Sequence, residues 1–501
     1  MFTKQSLLTF LGITLAVIFS LTLGFFTLSF QSIRLDESQS LWMSGKSLPI
    51  LLKLTAEDVH VPLYGILLHF WIQIFGNNII LARILSLLFS LATIPVLYKV
   101  TREASTRTIA TGTILLYSFS PFIVWYTTET RMYSLFTLVT TINHFYFLRF
   151  LRSDGKEGKL GYFLSSLFGF YTHYFFFLLA TTQSLFLLGK AIYQRLEKTQ
   201  QAPAQSSPLK FFFKQAAILG SAFAFLTPWL YYFIRSGAGT STSPKIPPPT
   251  SFNIFEVFFN FIFGFQSRHF QSFVISLWPL ALIFLFFIFT KRKIIKVQGI
   301  AYFAAATFLP ISLAFAASFI KPVFLSRYLI LATPTLFIIL GWAIINYPRR
   351  LSSVFLGLAV ITMLGASTYQ NISANTTVRE DYRSVSAYLT QDANAQDIVA
   401  VSAPFTIYPI EYSYDGNAKL VTIPEWNRYT QGSIPPFAED QLKNQIEGYR
   451  NTYQRVFLVL SYNQGYQEKI RSYFDNNYEL LSQREFPYNI SVRIYKLRYS
   501  Y

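Results

Sequence analysis

Residues 8–37 read LTFLGITLAVIFSLTLGFFTLSFQSIRLDE. The apolar run carries no charge before Arg34. It is long enough to cross ~30 Å of hydrocarbon as a helix. It is also longer than the apolar core of a removed leader and has no small-residue cleavage site, so it reads as a retained first helix. The run ends on adjacent carboxylates, Asp36 and Glu37. Charge thus appears directly at the bilayer rim.

The rest of the chain agrees with a membrane reading. Of 501 residues, 52% are apolar and 13% charged, with 53 Phe and 32 Tyr. Soluble domains carry ~25% charge, so a soluble enzyme is disfavoured. Cys is absent, which excludes a disulfide framework and a cysteine nucleophile. We read about eleven spanning helices before residue 370: near 8–29, 79–98, 109–127, 133–150, 160–173, 174–192, 212–234, 272–290, 297–319, 329–346 and 351–369. Residues 61–76 and 252–265 are apolar but short, and read as helices lying in the interface. Residues 236–251 are rich in Pro, Gly and Ser. They read as an external loop, either a plain linker or a flap over a cleft.

The net charge of +18 raises the question of nucleic acid. Its distribution answers it. Nineteen lysines and arginines against four acids fall in alternate gaps between the spans. By the positive-inside rule that face is cytoplasmic. The segment after 370 is almost neutral, with 13 basic and 14 acidic residues. A nucleic-acid protein would concentrate its charge on such a soluble part. The fold class expected is therefore a polytopic α-helical membrane domain, 1–370, with the N-terminus inside, and an extracytoplasmic α/β domain, 371–501. In that tail, 397–403, 419–423, 455–462, 478–486 and 490–499 read as strands, and 379–389, the stretch after Pro404, 437–449 and 465–475 as helices. No phosphate-binding glycine motif is present, so no nucleotide site is expected. Packing on the outer face and contact with an acceptor are both compatible with it.

Ionisable residues at membrane depth or its rim default to functional candidates. Asp36 and Glu37 repel each other unless a cation, water or a positive partner relieves them. One could act as a general base, with Arg34 as a local partner. A solvated loop pair is the plainer reading. On a regular helix, Trp125, Glu129 and Tyr133 share a face, and an acid between two rings suits a sugar; Trp and Tyr also mark interfaces. Arg131 would then point away, unless the chain is irregular there. Glu57, Asp58 and His60 precede Pro62. Asp58 and His60 could ligate a divalent metal, although no tight ligand spacing accompanies them. Arg327 and Tyr328 sit at the outer end of another helix, where a guanidinium suits phosphate oxygens or snorkels.

Four blocks now stand in order: IRLDES (33–38), HVPLYGILLHFWIQIFGNNIILAR (60–83), WYTTETRMYSL (125–135) and SRYL (326–329). Together they resemble bacterial protein O-mannosyltransferase-like glycosyltransferases of the GT-C superfamily, which also includes the lipid A aminoarabinose transferase. The resemblance spans residues 8 to 346, with Val61-Pro62 where a doubled proline is usual. It implies a transferase using a polyprenyl-phosphate-linked sugar donor and an unidentified extracytoplasmic acceptor in the bacterial inner membrane. It makes Asp36 the base or acceptor-orienting acid and Glu129 a second acid on the same cleft. Arg131, Arg327 and His60 become candidates for the phosphate, and Glu37, Trp125, Tyr133 and Tyr328 for the substrate. A glycolipid flippase and a membrane-anchored scaffold are the rival readings. A flippase would place its polar groups at the bilayer midplane on interrupted helices.

Overall fold

The computed structural model describes residues 4–58, 60–153, 155–196, 208–236, 247–277, 298–346, 349–372, 380–429 and 434–497. Helix α1 (Lys4–Phe30) is the long apolar helix expected, and Arg34 caps the short α2 (Leu35–Ser44) that follows. Next come α3 (Leu48–Glu57), α4 (Leu63–Phe75), α5 (Ile79–Ala104), α6 (Arg107–Phe119), α7 (Pro121–Thr127) and α8 (Tyr133–Arg152). Helices α9 (Lys159–Thr172), α10 (Phe176–Leu196), α11 (Pro208–Arg235), α12 (Ser251–Phe263) and α13 (Arg268–Ser276) complete the first two thirds. Helix α14 (Gln298–Ala317), a 3-10 turn (Ser326–Ala332), α15 (Thr333–Ile345) and α16 (Arg349–Ile372) close the helical part.

Among the described residues, seven helices are long and apolar enough to cross a membrane, or eight if α6 and α7 form one bent span. Eleven spans were expected, and the difference has physical causes. Helix α8 is long enough, but its Asn143 and His144 are buried in contact with neighbouring helices, on Ser165, Ser166 and Tyr302. Its polarity serves packing and lowers its hydropathy. Helix α9 has 14 residues, short of a bilayer. The expected span 272–290 lies outside the described residues from 278 onward, as does most of the loop 236–251. The short stretches 61–76 and 252–265 form α4 and α12, 13 residues each.

Close packing fixes the bundle. A Cβ on Gly341 would meet Thr113 Oγ1 at 2.5 Å, so α15 and α6 touch backbone to backbone, as small residues permit between membrane helices. The break between α6 and α7 bends the chain by 66°. Pro121 opens α7, Ser120 Oγ accepts from the Ile123 N–H at 3.3 Å, and the same hydroxyl donates to the Phe261 carbonyl at 2.7 Å. This bend carries residues 128–132 towards the start of α2.

The tail is a three-layer α/β unit. Its sheet runs β2 (Lys419–Ile423), β1 (Asp397–Ser402), β3 (Arg455–Leu460), β5 (Ile490–Lys496) and β4 (Glu479–Phe486). Strands β1, β2 and β3 are parallel, and β5 is antiparallel to both β3 and β4. Val399, Val401, Phe457 and Val459 face α17 (Tyr382–Asp392) and α18 (Ile407–Ser413). Ile398, Ala400, Val456 and Leu458 face α19 (Glu439–Arg450) and α20 (Gln467–Asn477). Interior strand β1 is buried throughout, as a strand covered on both faces must be.

The tail docks on the corner between α1 and α2. Trp42 lies 5.2 Å from both Tyr408 and Tyr429, with the Arg428 guanidinium 4.8 Å above its ring. Ile79 N–H donates to Tyr412 Oη at 2.9 Å, and Arg383 N–H to Ser32 Oγ at 3.1 Å. The Leu35 N–H donates to Glu380 Oε2 at 3.2 Å. The tail thus reaches the residue next to Asp36.

Candidate active site

Helix α2 brings its acids to the site by its first turn. The Arg34 N–H donates to Glu37 Oε2 at 3.1 Å, the return half of a capping box. Asp36 and Glu37 then diverge by the ~100° step of a helix, and their environments differ. Glu37 turns inward. Arg83 grips it with Nε at 2.9 Å and Nη2 at 2.6 Å, and the Thr130 N–H donates to Oε1 at 3.0 Å. Arg83 also donates to the carbonyls of Leu28 (2.6 Å), Gln31 (3.1 Å) and Ser32 (3.0 Å). With side-chain exposures of 0% and 1%, this pair is a clamp tying α1, α2, α5 and the 128–132 turn together. The expectation that Glu37 binds substrate is corrected on that ground: both its oxygens are used inside the protein.

Asp36 turns the other way. Its Oδ2 lies 3.1 Å from Arg327 Nη1, and the side chains are 27% and 39% exposed. This is the open pair of the cluster. Burial alone would raise the Asp36 carboxyl, but Arg131, Arg327, His60 and Arg34 outweigh it and hold it below its ordinary range.

The second acid sits on an irregular turn. Helix α7 ends at Thr127 and α8 starts at Tyr133. Trp125, Glu129 and Tyr133 therefore do not share a helical face, a correction to the spacing argument. The irregularity lets Glu129 and Arg131 both point into the cluster; the Arg131 N–H donates to the Glu129 carbonyl at 2.7 Å and tightens the turn. Glu129 Oε2 accepts from Arg34 Nη1 at 3.0 Å, and the Arg34 guanidinium lies 3.5 Å from the Trp125 ring centroid. The Arg34 guanidinium is thus the partner of Glu129, and only its backbone N–H serves an α2 acid. Trp125 is 5% exposed with its face covered by Arg34, and Tyr133 is 1% exposed against Tyr126. Neither ring offers a free sugar-facing surface here. Burial pushes the Glu129 carboxyl up to about 7, with Asp36 and Glu37 adding to the rise and Arg34 opposing it.

Arg131 has a different kind of neighbour. Its Nη1 donates to Ser40 Oγ at 3.2 Å, and Nη2 lies 3.0 Å from His60 Nε2. Arg34, Arg83 and Arg327 each pair with a carboxylate; among the described residues Arg131 makes no ion pair. The buried Nε atoms of Arg131 and Arg327 also lack a hydrogen-bond partner among the described residues. Tyr328 packs on His173 and Phe175 at 5.4 and 5.2 Å and flanks Arg327.

Asp58 and His60 do not fit a metal. His60 Nδ1 lies 3.2 Å from Asp58 Oδ2, but Nε2 faces the Arg131 guanidinium, which would repel a cation. Among the described residues, no three metal-ligating side chains cluster.

Sequence reasoning assigned no role to Arg83, Ser40 or Glu380. Arg83 carried the clearest signal, the lone charge in the apolar stretch 79–98 that opens α5. Glu380 is far away in sequence and carried none.

The helical bundle, the charged cluster at one end of it and the appended α/β unit define a multi-pass membrane protein. The crystal structure of ArnT from Cupriavidus metallidurans in the apo state aligns with a TM-score of 0.64 at 12% identity, covering 96% of this chain and 97% of that one. The same protein bound to undecaprenyl phosphate aligns at 0.59 with the same identity and coverage. In sequence, residues 59–204 match the family described as dolichyl-phosphate-mannose-protein mannosyltransferase. The resemblance read from the four blocks is thus met by both fold and sequence. No curated protein matches the chain.

Proposed function

We propose that this protein is an inverting glycosyltransferase that moves a sugar from a polyprenyl phosphate to a hydroxyl acceptor, with its cleft on the outer face of the bacterial inner membrane. The observation that carries this reading is Arg131, which among the described residues makes no direct ion pair yet lies in the field of Asp36, beside the open Asp36–Arg327 pair. Two guanidiniums there can hold a phosphate diester by its oxygens. That ArnT binds undecaprenyl phosphate within the same fold supports the choice of carrier. So does supply: nucleotide sugars stay in the cytoplasm, whereas a lipid-linked sugar can be presented outside.

The step balances without a covalent intermediate. The acceptor oxygen attacks the anomeric carbon while its proton passes to the Asp36 carboxylate. The bond between that carbon and the phosphate oxygen breaks, and its electron pair stays on the departing polyprenyl phosphate. Arg131 and Arg327 stabilise the charge that develops there. In the resting site Arg131 and Arg327, the latter at 3.1 Å, keep Asp36 a weak base. A phosphate that draws Arg327 away makes Asp36 more basic as the donor arrives. Divalent metal is not needed in this scheme.

Purified protein in nanodiscs, incubated with a panel of polyprenyl-phosphate sugars, should release polyprenyl phosphate from one of them. Arg131→Met should slow that release by about 10²–10³. Release from none of the panel, with the lipid free to exchange, would refute the reading.

A further inference from the structure

A cavity of about 480 Å³ opens between the tail and the start of α13, lined by Arg268, Tyr462, Asn463, Gln467, Tyr488 and Asn489. Its size is that of a small-ligand site. Three of these residues, Tyr462, Tyr488 and Asn489, have positive φ (51°, 67° and 55°). At Tyr488 and Asn489 the tight reversal between β4 and β5 calls for it, and Tyr462 takes it just after β3. Two such tyrosines converge on one cavity, their rings 6.4 Å apart and 37% and 42% exposed.

The cavity is wired to the cleft. Tyr462 Oη hydrogen-bonds Glu380, whose other oxygen accepts from the Leu35 N–H, one residue before Asp36. Arg268 and Arg327 both lie within electrostatic reach of Tyr488. Glu380 therefore links the cavity wall to the first turn of α2, which carries Asp36.

We propose that this cavity is the acceptor subsite and that the part of the acceptor it holds is a saccharide. This rests on the glycosyl-transfer reading above and adds to it the acceptor's place and class. Two exposed rings offer flat faces for pyranose C–H groups, and three carboxamides can both donate to and accept from hydroxyls. The lining contains no aliphatic pocket. It lies at the end of β3 and the turn between β4 and β5, not along a strand edge where an extended peptide would be read. Glu380 is a positioning residue: it couples Tyr462 to the first turn of α2 and so to the placement of Asp36.

The absence of cysteine allows a single thiol to be introduced. Tyr488→Cys, modified with a bulky maleimide, is assayed in native membranes for transfer of radiolabelled sugar from polyprenyl phosphate to endogenous acceptor. Transfer should fall at least tenfold while affinity for polyprenyl phosphate stays within twofold. Leu481→Cys, modified on the exposed edge strand β4, should leave transfer unchanged. Asn489→Gly keeps the turn and removes one carboxamide, and should lower transfer severalfold. The labelled product should resist protease. Unchanged transfer after modification at position 488, or equal loss of polyprenyl phosphate binding, overturns the subsite. A protease-sensitive product overturns the saccharide class in favour of a peptide. Wild-type protein that transfers from no polyprenyl-phosphate donor overturns the underlying reaction instead.

Discussion

Arg327 and Asp36, 291 residues apart in sequence, meet at 3.1 Å in the most open ion pair of the site. The pair joins the 3-10 turn before α15 to the first turn of α2. Its half-exposed position separates it from the sealed Arg83–Glu37 clamp. Arg327→Ala should raise the donor KM and lower kcat by about 10²–10³, because it removes charge stabilisation of the leaving phosphate. Arg327→Lys should recover only part of this, since an ammonium lacks the planar fork. Steady-state kinetics on the reconstituted enzyme distinguish these outcomes.

The clamp has a structural signature. Removing one partner of a fully buried ion pair leaves an uncompensated charge and costs about 3–5 kcal/mol. Arg83→Met or Glu37→Gln should therefore lower Tm sharply in detergent. The double replacement Glu37→Leu with Arg83→Met should lose less than the two single losses added together. Thermal unfolding of the four proteins checks this.

Glu129 provides a pH dependence of definite sign. Its carboxyl is pushed from 4.5 to about 7 on folding. Between those values the unfolded chain has lost a proton that the folded protein retains. Stability should therefore fall as pH rises through that window. Glu129→Gln should flatten the profile there. Asp36 moves the opposite way, so its contribution to stability is present above its ordinary value of 3.8 and is lost as pH falls through the depressed one. Melting profiles from pH 4 to 8 on wild type and Glu129→Gln test the first of these shifts.

The tail is held partly by Trp42, set between Tyr408 and Tyr429 with Arg428 on its ring. Trp42→Ala should loosen the tail without unfolding the bundle. Limited proteolysis of the tail should then speed up severalfold. Sugar transfer should fall, because Glu380 no longer steadies the Leu35 N–H.

Much of the architecture was legible because its signals are local. The apolar run of α1 and the strand–helix order of the tail each need only neighbouring residues. All five expected strands of the tail lie within a few residues of the observed ones. Pairing was not legible. Arg34 was read as a partner of Asp36 or Glu37 and instead holds Glu129, because the α7–α8 break swings that acid across the α2 N-terminus. Glu37 and Asp36 look equivalent in sequence, and only the one-residue helical step sends one to Arg83 and the other to the cleft. The helix expected near 133–150 forms as α8, with its buried Asn143 and His144 satisfied by neighbouring helices.

The most direct test is the rate of sugar transfer by Asp36→Asn under saturating polyprenyl-phosphate sugar, with donor affinity measured in parallel. Asparagine keeps the size of the side chain and removes the proton acceptor. Transfer should drop by about 10²–10⁴, with donor affinity close to wild type. Transfer at the wild-type rate by folded Asp36→Asn protein would contradict the account.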